Sequence, residues 1–284
     1  MTAIGIVSPG AMGAALGRAW VSGGARAVTT VTGRSERTRG LAHGLELVPN
    51  LEEVVSASDV VVSICPPGAA ESCFADILAA ASSTDTRPLL ADLNAVSPTL
   101  VGTLAEKARA AGLDFVDGSI SGGPPQPGGD TMLYLSGRRA GELADLTTDG
   151  LRRRVVGATP GTASAIKMCT ASVYKGTAAL WTQALETASR LGVLEPVLTD
   201  LSEGFPDQVA GAATRVAMAA SKSDRYVAEM EQIAATQGAA GTGPELFEGM
   251  ASVYARLART PLADLSPEEA RDLDDLDEVL RRLT

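Results

Sequence analysis

AIGIVSPGAMGAALGRAWVSGG, residues 3–24, sets the architecture of the chain. Its first five residues are an uninterrupted apolar run, as in a strand covered on both faces. The turn Ser8-Pro9-Gly10-Ala11-Met12-Gly13 follows, then an amphipathic helix that runs out at Gly23-Gly24. Strand, glycine turn and helix in this order make a dinucleotide-binding unit. Gly10 lets the backbone approach a pyrophosphate, and Gly13 lets helix and strand pack closely. The helix N-terminus supplies N–H groups and the positive end of a dipole. Ser8 stands where the usual fingerprint has its first glycine, so the same residues also suit a tight turn without a ligand.

A second strand is predicted from Ala27 to Thr32, ending in Gly33-Arg34-Ser35. At this place in a dinucleotide fold an acidic residue selects NAD, and a basic one accommodates the 2′-phosphate of NADP. No carboxylate is present; Arg34 and Ser35 offer a guanidinium and a hydroxyl, which favours NADP(H) over NAD(H). Arg37 and Arg39 nearby keep open a plain solvated loop. Strand and helix patterns then alternate through LELV (45–48), DVVVSIC (59–65), PLLADL (88–93) and DFVDGS (114–119). That alternation predicts an α/β, Rossmann-type, doubly wound parallel sheet domain over residues 1–161. Ligands of such sheets lie beyond the carboxyl ends of the strands, which singles out Ser63-Ile64-Cys65-Pro66-Pro67 and Asp92-Leu93-Asn94. Both also suit structural loops. Ser121-Gly122-Gly123 either aims backbone N–H groups and a hydroxyl at an anion or is an ordinary glycine–proline loop. TMLYLSG (131–137) and a segment near Arg153 to Val156 read as further strands.

PGTASAIKMCTASVYKGTAALWTQALETASRL, from Pro160 to Leu191, is the longest uninterrupted helical pattern, roughly 40 Å of helix. Ala163, Ile166, Thr170, Val173, Thr177, Leu180, Ala184, Ala188 and Leu191 form one apolar or small stripe. Lys167 stands on its edge, one of four lysines against twenty arginines. It reads as a snorkelling side chain or as a functional amine. Only helices are predicted beyond it, over about 194–203, 206–220, 224–237, 244–259 and 266–283, which makes an all-α domain of residues 162–284.

Composition narrows the chemistry. A net charge of −10 argues against nucleic acid or an anionic membrane as partner. His43 is the only histidine, which argues against a histidine-based triad or a multi-histidine metal site, and no metal is expected. Cys65, Cys73 and Cys169 are odd in number and widely spaced, as buried free thiols of a reducing cytosol are. No signal peptide and no apolar run near 18 residues is present, so a cytoplasmic protein is expected.

With SPGAMG, GRS, SICPP, DLNAVSP, DGSISGGPP and GTASAIKMCTASVYKG in this order, the chain resembles the β-hydroxyacid dehydrogenases, relatives of 6-phosphogluconate dehydrogenase. The resemblance covers nearly the whole length. It implies a Rossmann domain joined by a long helix to an all-helical domain, and a homodimer formed through the latter. The family's catalytic lysine falls on Lys167 and its substrate-carboxylate loop on Ser121, Gly122 and Gly123. Its cofactor contacts fall on Gly10, Ala11, Met12, Gly13, Arg34, Ser35, Cys65, Pro66 and Asn94, flanked by Ser8, Pro9 and Pro67. The family's substrate asparagine, one turn after the lysine, is Ala171 here, which removes a polar group from the substrate side. Tyr174-Lys175-Gly176 resembles a subgroup with its own helical domain; Tyr174, Arg225 and Glu229 are candidates for its site. The implied activity is NADP-dependent interconversion of a β-hydroxy acid and its keto form, with Lys167 as general acid–base. Two other readings stay open. Asp117-Gly118-Ser119-Ile120 and the apolar Ala171 resemble an NADPH-dependent imine reductase, and a non-catalytic NADP-binding protein would keep the same cofactor turn.

Overall fold

The computed structural model describes residues 1–283. Contacts divide the chain into two compact units, Met1–Met168 and the residues from Cys169 on, and the division falls within the long helix. The first unit runs β1 (Ala3–Val7), α1 (Ala11–Ser22), β2 (Arg26–Thr29), α2 (Glu36–Leu41), β3 (Glu46–Leu47), α3 (Leu51–Ser56), β4 (Val60–Ser63) and α4 (Ala70–Ser82). It continues with β5 (Leu89–Asp92), α5 (Pro98–Ala110), β6 (Phe115–Ser121), β7 (Thr131–Ser136), α6 (Ala140–Ala144) and β8 (Leu151–Gly157).

These strands form one sheet in the order β3-β2-β1-β4-β5-β6-β7-β8. The first six are parallel and have the doubly wound order of a dinucleotide-binding sheet. β7 runs antiparallel to β6, and β8 is parallel to β7, so the expected all-parallel sheet ends at β6. A short loop is the reason: a parallel return needs a crossover of roughly a dozen residues or more, and no helix separates β6 from β7. Successive strand residues face opposite sides. Ile4, Ile6, Val60 and Val62 pack with Leu16 and Trp20 of α1. Val7, Val61 and Leu90 pack with Phe74 and Ile77 of α4 and Leu104 of α5. Both faces are therefore covered, which is why the strands read as continuous apolar runs.

α7 (Thr162–Arg190) begins in the first unit. The second unit adds α8 (Leu194–Gly204), α9 (Pro206–Ala210), α10 (Ala212–Ala220), α11 (Ser223–Ala239), α12 (Glu245–Leu257), α13 (Pro267–Arg271) and α14 (Leu276–Arg281). The single helix predicted over 206–220 is two, parted at Gly211, where an interior glycine weakens a helix. The one predicted over 266–283 is also two. Asp275 caps α14 by accepting from Glu278 N, and Thr214 donates to the Leu273 carbonyl left free between them. The stripe on α7 is not all core: Val173, Leu180 and Leu191 are 66%, 62% and 70% exposed, while Ala163 and Ala188 at its ends are buried. Met168, Ala171, Ala179, Trp181 and Leu185 form the covered face instead. The cysteines also differ from expectation, since Cys169 is exposed and Cys65 and Cys73 are half-buried. No helix among the described residues is long and apolar enough to cross a membrane.

Candidate active site

The turn after β1 explains how Ser8 replaces a glycine. Ser8 adopts φ 65°, the one positive φ outside glycine among the described residues. For an L-residue this costs about 1–2 kcal/mol. Gly10 N donates to Ser8 O at 2.8 Å, closing the turn. A Cβ on Gly13 would lie 2.7 Å from that same Ser8 carbonyl, so no side chain fits there. A Cβ on Gly10, by contrast, would meet nothing within 4 Å. Gly10 is the N-cap of α1, with no side-chain cap and no acidic residue in the first turn. Its first N–H groups are left to an external anion, and open space lies beside them. The turn thus fits the pyrophosphate of a dinucleotide.

Arg34 and Ser35 lie in the exposed connection between β2 and α2. Ser35 caps α2, accepting from Thr38 N at 3.3 Å. No ion pair engages Arg34 among the described residues. Its positive charge reaches Cys73 on α4, whose thiol lies below its usual value, held down first by the hydrogen bond with Cys65, with smaller help from Ser63 and Arg34. The Cys65 thiol is pushed up in turn by Cys73 and by burial.

At the ends of β4 and β5, Asn94 ties the loops together. Its Oδ1 accepts from Cys65 N at 2.6 Å, and its Nδ2 donates to Asp92 Oδ1 at 2.6 Å and Ser63 Oγ at 3.0 Å. Both amide hydrogens are thus used inside the chain, and Asn94 holds the Cys65-Pro66-Pro67 loop in place. Asp92 is fully buried. Burial pushes its carboxyl up to about 7, against the pull of the Asn94 hydrogen bonds and with added repulsion from Asp117.

Asp117, directly opposite Asp92 in the sheet register and also fully buried, anchors the lysine helix. It accepts from Gly161 N at 2.9 Å, Ser164 N at 3.1 Å, Ser164 Oγ at 2.6 Å and Ser136 Oγ at 2.8 Å. A carboxylate at the start of α7 satisfies orphan N–H groups and complements the helix dipole. Ser119 Oγ donates to Ala163 O and Ala163 N donates to Ser136 Oγ, which fixes the first turn further. One turn on, the half-buried Lys167 donates from Nζ to Ile120 O at 2.7 Å. Its amine therefore sits at the end of β6, beside Ser121 and Gly122. Gly122 has φ 113°, which requires glycine, and Gly123 O accepts from Thr131 Oγ1 at 2.9 Å. Ala171 is buried and Tyr174 exposed, one and two turns further along α7.

Motif and spacing gave Asp92 and Asp117 no role of their own. The available signal was a carboxylate inside a strand that is otherwise apolar, since such a group is buried only when it is partnered. No group of three or more histidine, cysteine or acidic side chains among the described residues is placed to hold a metal.

The model of the NAD binding domain of 6-phosphogluconate dehydrogenase matches residues 3–146, about half of the chain, and a domain of unknown function (DUF1932) matches residues 188–257. An uncharacterized 28.5 kDa protein of Methanothermus fervidus is 28% identical over 177 residues, 62% of this chain. The chain spans 66% of that relative's length, just under two thirds. A probable 3-hydroxyisobutyrate dehydrogenase of Mycobacterium tuberculosis is 25% identical over 209 residues, 72% of this chain and 70% of that protein. A solved structure of a conserved protein of unknown function, reported as similar to 3-hydroxyacid dehydrogenases, matches with a TM-score of 0.66 at 30% identity. That match covers 90% of this chain and 96% of the other.

Proposed function

The chain belongs to the 6-phosphogluconate dehydrogenase-like family of β-hydroxyacid dehydrogenases, NAD(P)-dependent oxidoreductases, and from that premise we propose what its reaction is. It interconverts a β-hydroxy acid, or a similar hydroxylated carboxylate, and its keto form with NADP(H). The observation that carries this reading is the Lys167 amine held on the Ile120 carbonyl at the mouth of the Ser121-Gly122-Gly123 loop. The bound nicotinamide supplies or accepts a hydride. Lys167 moves the proton: its Nζ takes it from the substrate hydroxyl in oxidation and returns it in reduction. Ser121 and the backbone of Gly122 and Gly123 hold the substrate carboxylate. Residues 8–13 hold the pyrophosphate, and the Cys65-Pro66-Pro67 loop, braced by Asn94, borders the cofactor. Arg34 pairs with the 2′-phosphate, a charge-assisted contact worth about 1.5–3 kcal/mol. Ala171 leaves the substrate side apolar, and Tyr174 offers it a ring and a hydroxyl. A homodimer through the second unit is supported by the exposed Val173 and Leu180 on α7.

Lys167→Met tests the reading. On a panel of β-hydroxy acids, kcat falls by about 10²–10⁴ while NADPH affinity holds. A variant that keeps more than about a tenth of kcat overturns the role of Lys167. Titration of the two cofactors is expected to show NADPH bound about tenfold more tightly than NADH. The buried Ala171 favours one second reading, an imine reductase; turnover of cyclic imines with none of the hydroxy acids would put it first.

A further inference from the structure

The second unit holds a cavity of about 200 Å³ whose lining includes Tyr174, Lys175 and Ala178 of α7, Arg215 and Met218 of α10, and Tyr226 of α11. Its charge opposes that of the whole chain, which is −10. Arg215 is fixed without a carboxylate: Nη1 donates to Gln208 O at 2.7 Å, and the guanidinium lies 5.6 Å from the centre of the Trp181 ring. Among the described residues no acidic side chain pairs with it. Lys175 and Arg225 both pair with the buried carboxylate of Glu229. Both cations also lie over the Tyr226 ring, at 5.0 and 5.4 Å. Ala178, Met218 and the two tyrosine rings supply apolar walls between the charges.

We propose that this cavity is a binding site for a small organic anion, a carboxylate carried on an apolar body. Arg215 is its anchoring cation, and Met218 and Tyr226 are the walls against which the apolar part packs. Size limits the ligand. An engineered apolar cavity of about 150 Å³ holds benzene, so a space of about 200 Å³ takes one small ring or branched chain. An aromatic or branched aliphatic acid suits it. The site lies in the second unit and shares only Tyr174 with the proposed substrate side; its anchor Arg215 and its walls Met218 and Tyr226 have no part in the hydroxy-acid reading, and it needs neither Lys167 nor a bound cofactor.

Benzoate and its neutral counterpart benzamide, titrated calorimetrically into the full chain, test the proposal. Benzoate is expected to bind at least about tenfold more tightly, the equivalent of one charge-assisted contact. Arg215→Met should remove that selectivity and leave benzamide unchanged. Because Arg215 also packs on Trp181, Ala178→Glu is the second variant; it brings a carboxylate to the wall without touching the Arg215 contacts, and it too should abolish benzoate selectivity. Lys167→Met should leave benzoate binding intact, which separates this cavity from the carboxylate loop of the first unit. Equal affinity for benzoate and benzamide in the unmodified chain overturns the proposal. So does benzoate binding that survives Ala178→Glu, or that disappears with Lys167→Met.

Discussion

Asp92 and Asp117 face each other across adjacent strands of the same sheet, both fully buried, and they are held in opposite ways. Asp117 accepts four hydrogen bonds, three of them from the start of α7. Asp92 accepts from the backbone and side chain of Asn94, and Ser63 adds a further hydrogen bond. Both carboxylates are buried, and the two differ in the source of their donors. At Asp117 the donors come from a helix that has to be placed, and the carboxylate is a clamp on the lysine-bearing element. At Asp92 they come from the ends of β4 and β5, from Ser63 and Asn94, and burial dominates enough to raise the carboxyl to about 7. Neighbouring positions of one sheet thus carry a structural anchor and a group that titrates near neutrality.

The largest effect follows from removing the clamp. Asp117→Ala leaves the Ser136 and Ser164 hydroxyls and two N–H groups of the α7 start without their acceptor. Buried polar groups stranded in this way cost about 3–5 kcal/mol together. The first unit is expected to melt roughly 6–20 °C lower, given about 2–4 °C per kcal/mol for a unit of this size. The Lys167 amine should lose its position with it. A thermal melt that matches the unmodified chain would reduce Asp117 to one acceptor among many.

Neither carboxylate's role could be read along the chain, for a physical reason. The partners of Asp117 lie 19 to 47 residues away, and only the folded sheet brings them together. What was legible was local: the apolar run of β1, the turn to α1, the alternation up to β6, and the length of α7. The reversed direction of β7 was not, because alternation reports side-chain faces and says nothing of strand direction. The breaks at Gly211 and before Asp275 were missed because an apolar period carries on across a single glycine or a capping aspartate. On α7 the stripe through Val173 and Leu180 was found correctly as a pattern, yet it is exposed in this chain. Periodicity shows that a face is apolar; it does not show what covers it. Of the candidate site, Lys167 and the Ser121-Gly122-Gly123 loop were legible as types of residue, while the Ile120 carbonyl that holds the amine was not.

A smaller effect sharpens the comparison from the Asp92 side. Its carboxyl keeps a proton up to about pH 7 in the folded chain and loses it near 3.8 when unfolded. Between these values the folded state binds more protons than the unfolded state. Stability from this group is therefore complete below about pH 4 and is lost as pH rises through 7. Over that window, about three steps of pH, the loss is about 4 kcal/mol, since a one-proton difference between the two states is worth about 1.4 kcal/mol for each step of one in pH. Asp92→Asn removes this titrating group, so from pH 4 to 8 its stability should fall less with rising pH than that of the unmodified chain. Denaturant titrations at several pH values measure this. Parallel pH profiles for the two proteins would mean that the Asn94 hydrogen bonds, and not burial, control Asp92.

The smallest effect comes from a third strand end, where the cost sits in the backbone and not in a side chain. Ser8 follows β1, next to β4, and holds φ 65° where the dinucleotide turn calls for glycine. Glycine reaches that conformation without steric cost, whereas serine is strained there by about 1–2 kcal/mol. Ser8→Gly relieves the strain but gives the unfolded chain more freedom, which offsets about 0.5–1 kcal/mol. A net gain of up to about 1 kcal/mol is left, or roughly 2–4 °C in the melt of the first unit. The turn itself is unchanged by the substitution, since Gly10 N still meets the carbonyl of residue 8, and NADPH affinity should hold or improve slightly. The contrast with Gly13 makes the test specific. There a Cβ would collide with that carbonyl at 2.7 Å, so Gly13→Ala should weaken both cofactor binding and stability. If Ser8→Gly lowers the melting temperature, the Ser8 side chain makes a contact worth more than its backbone strain, and the missing glycine is a replacement with a role of its own.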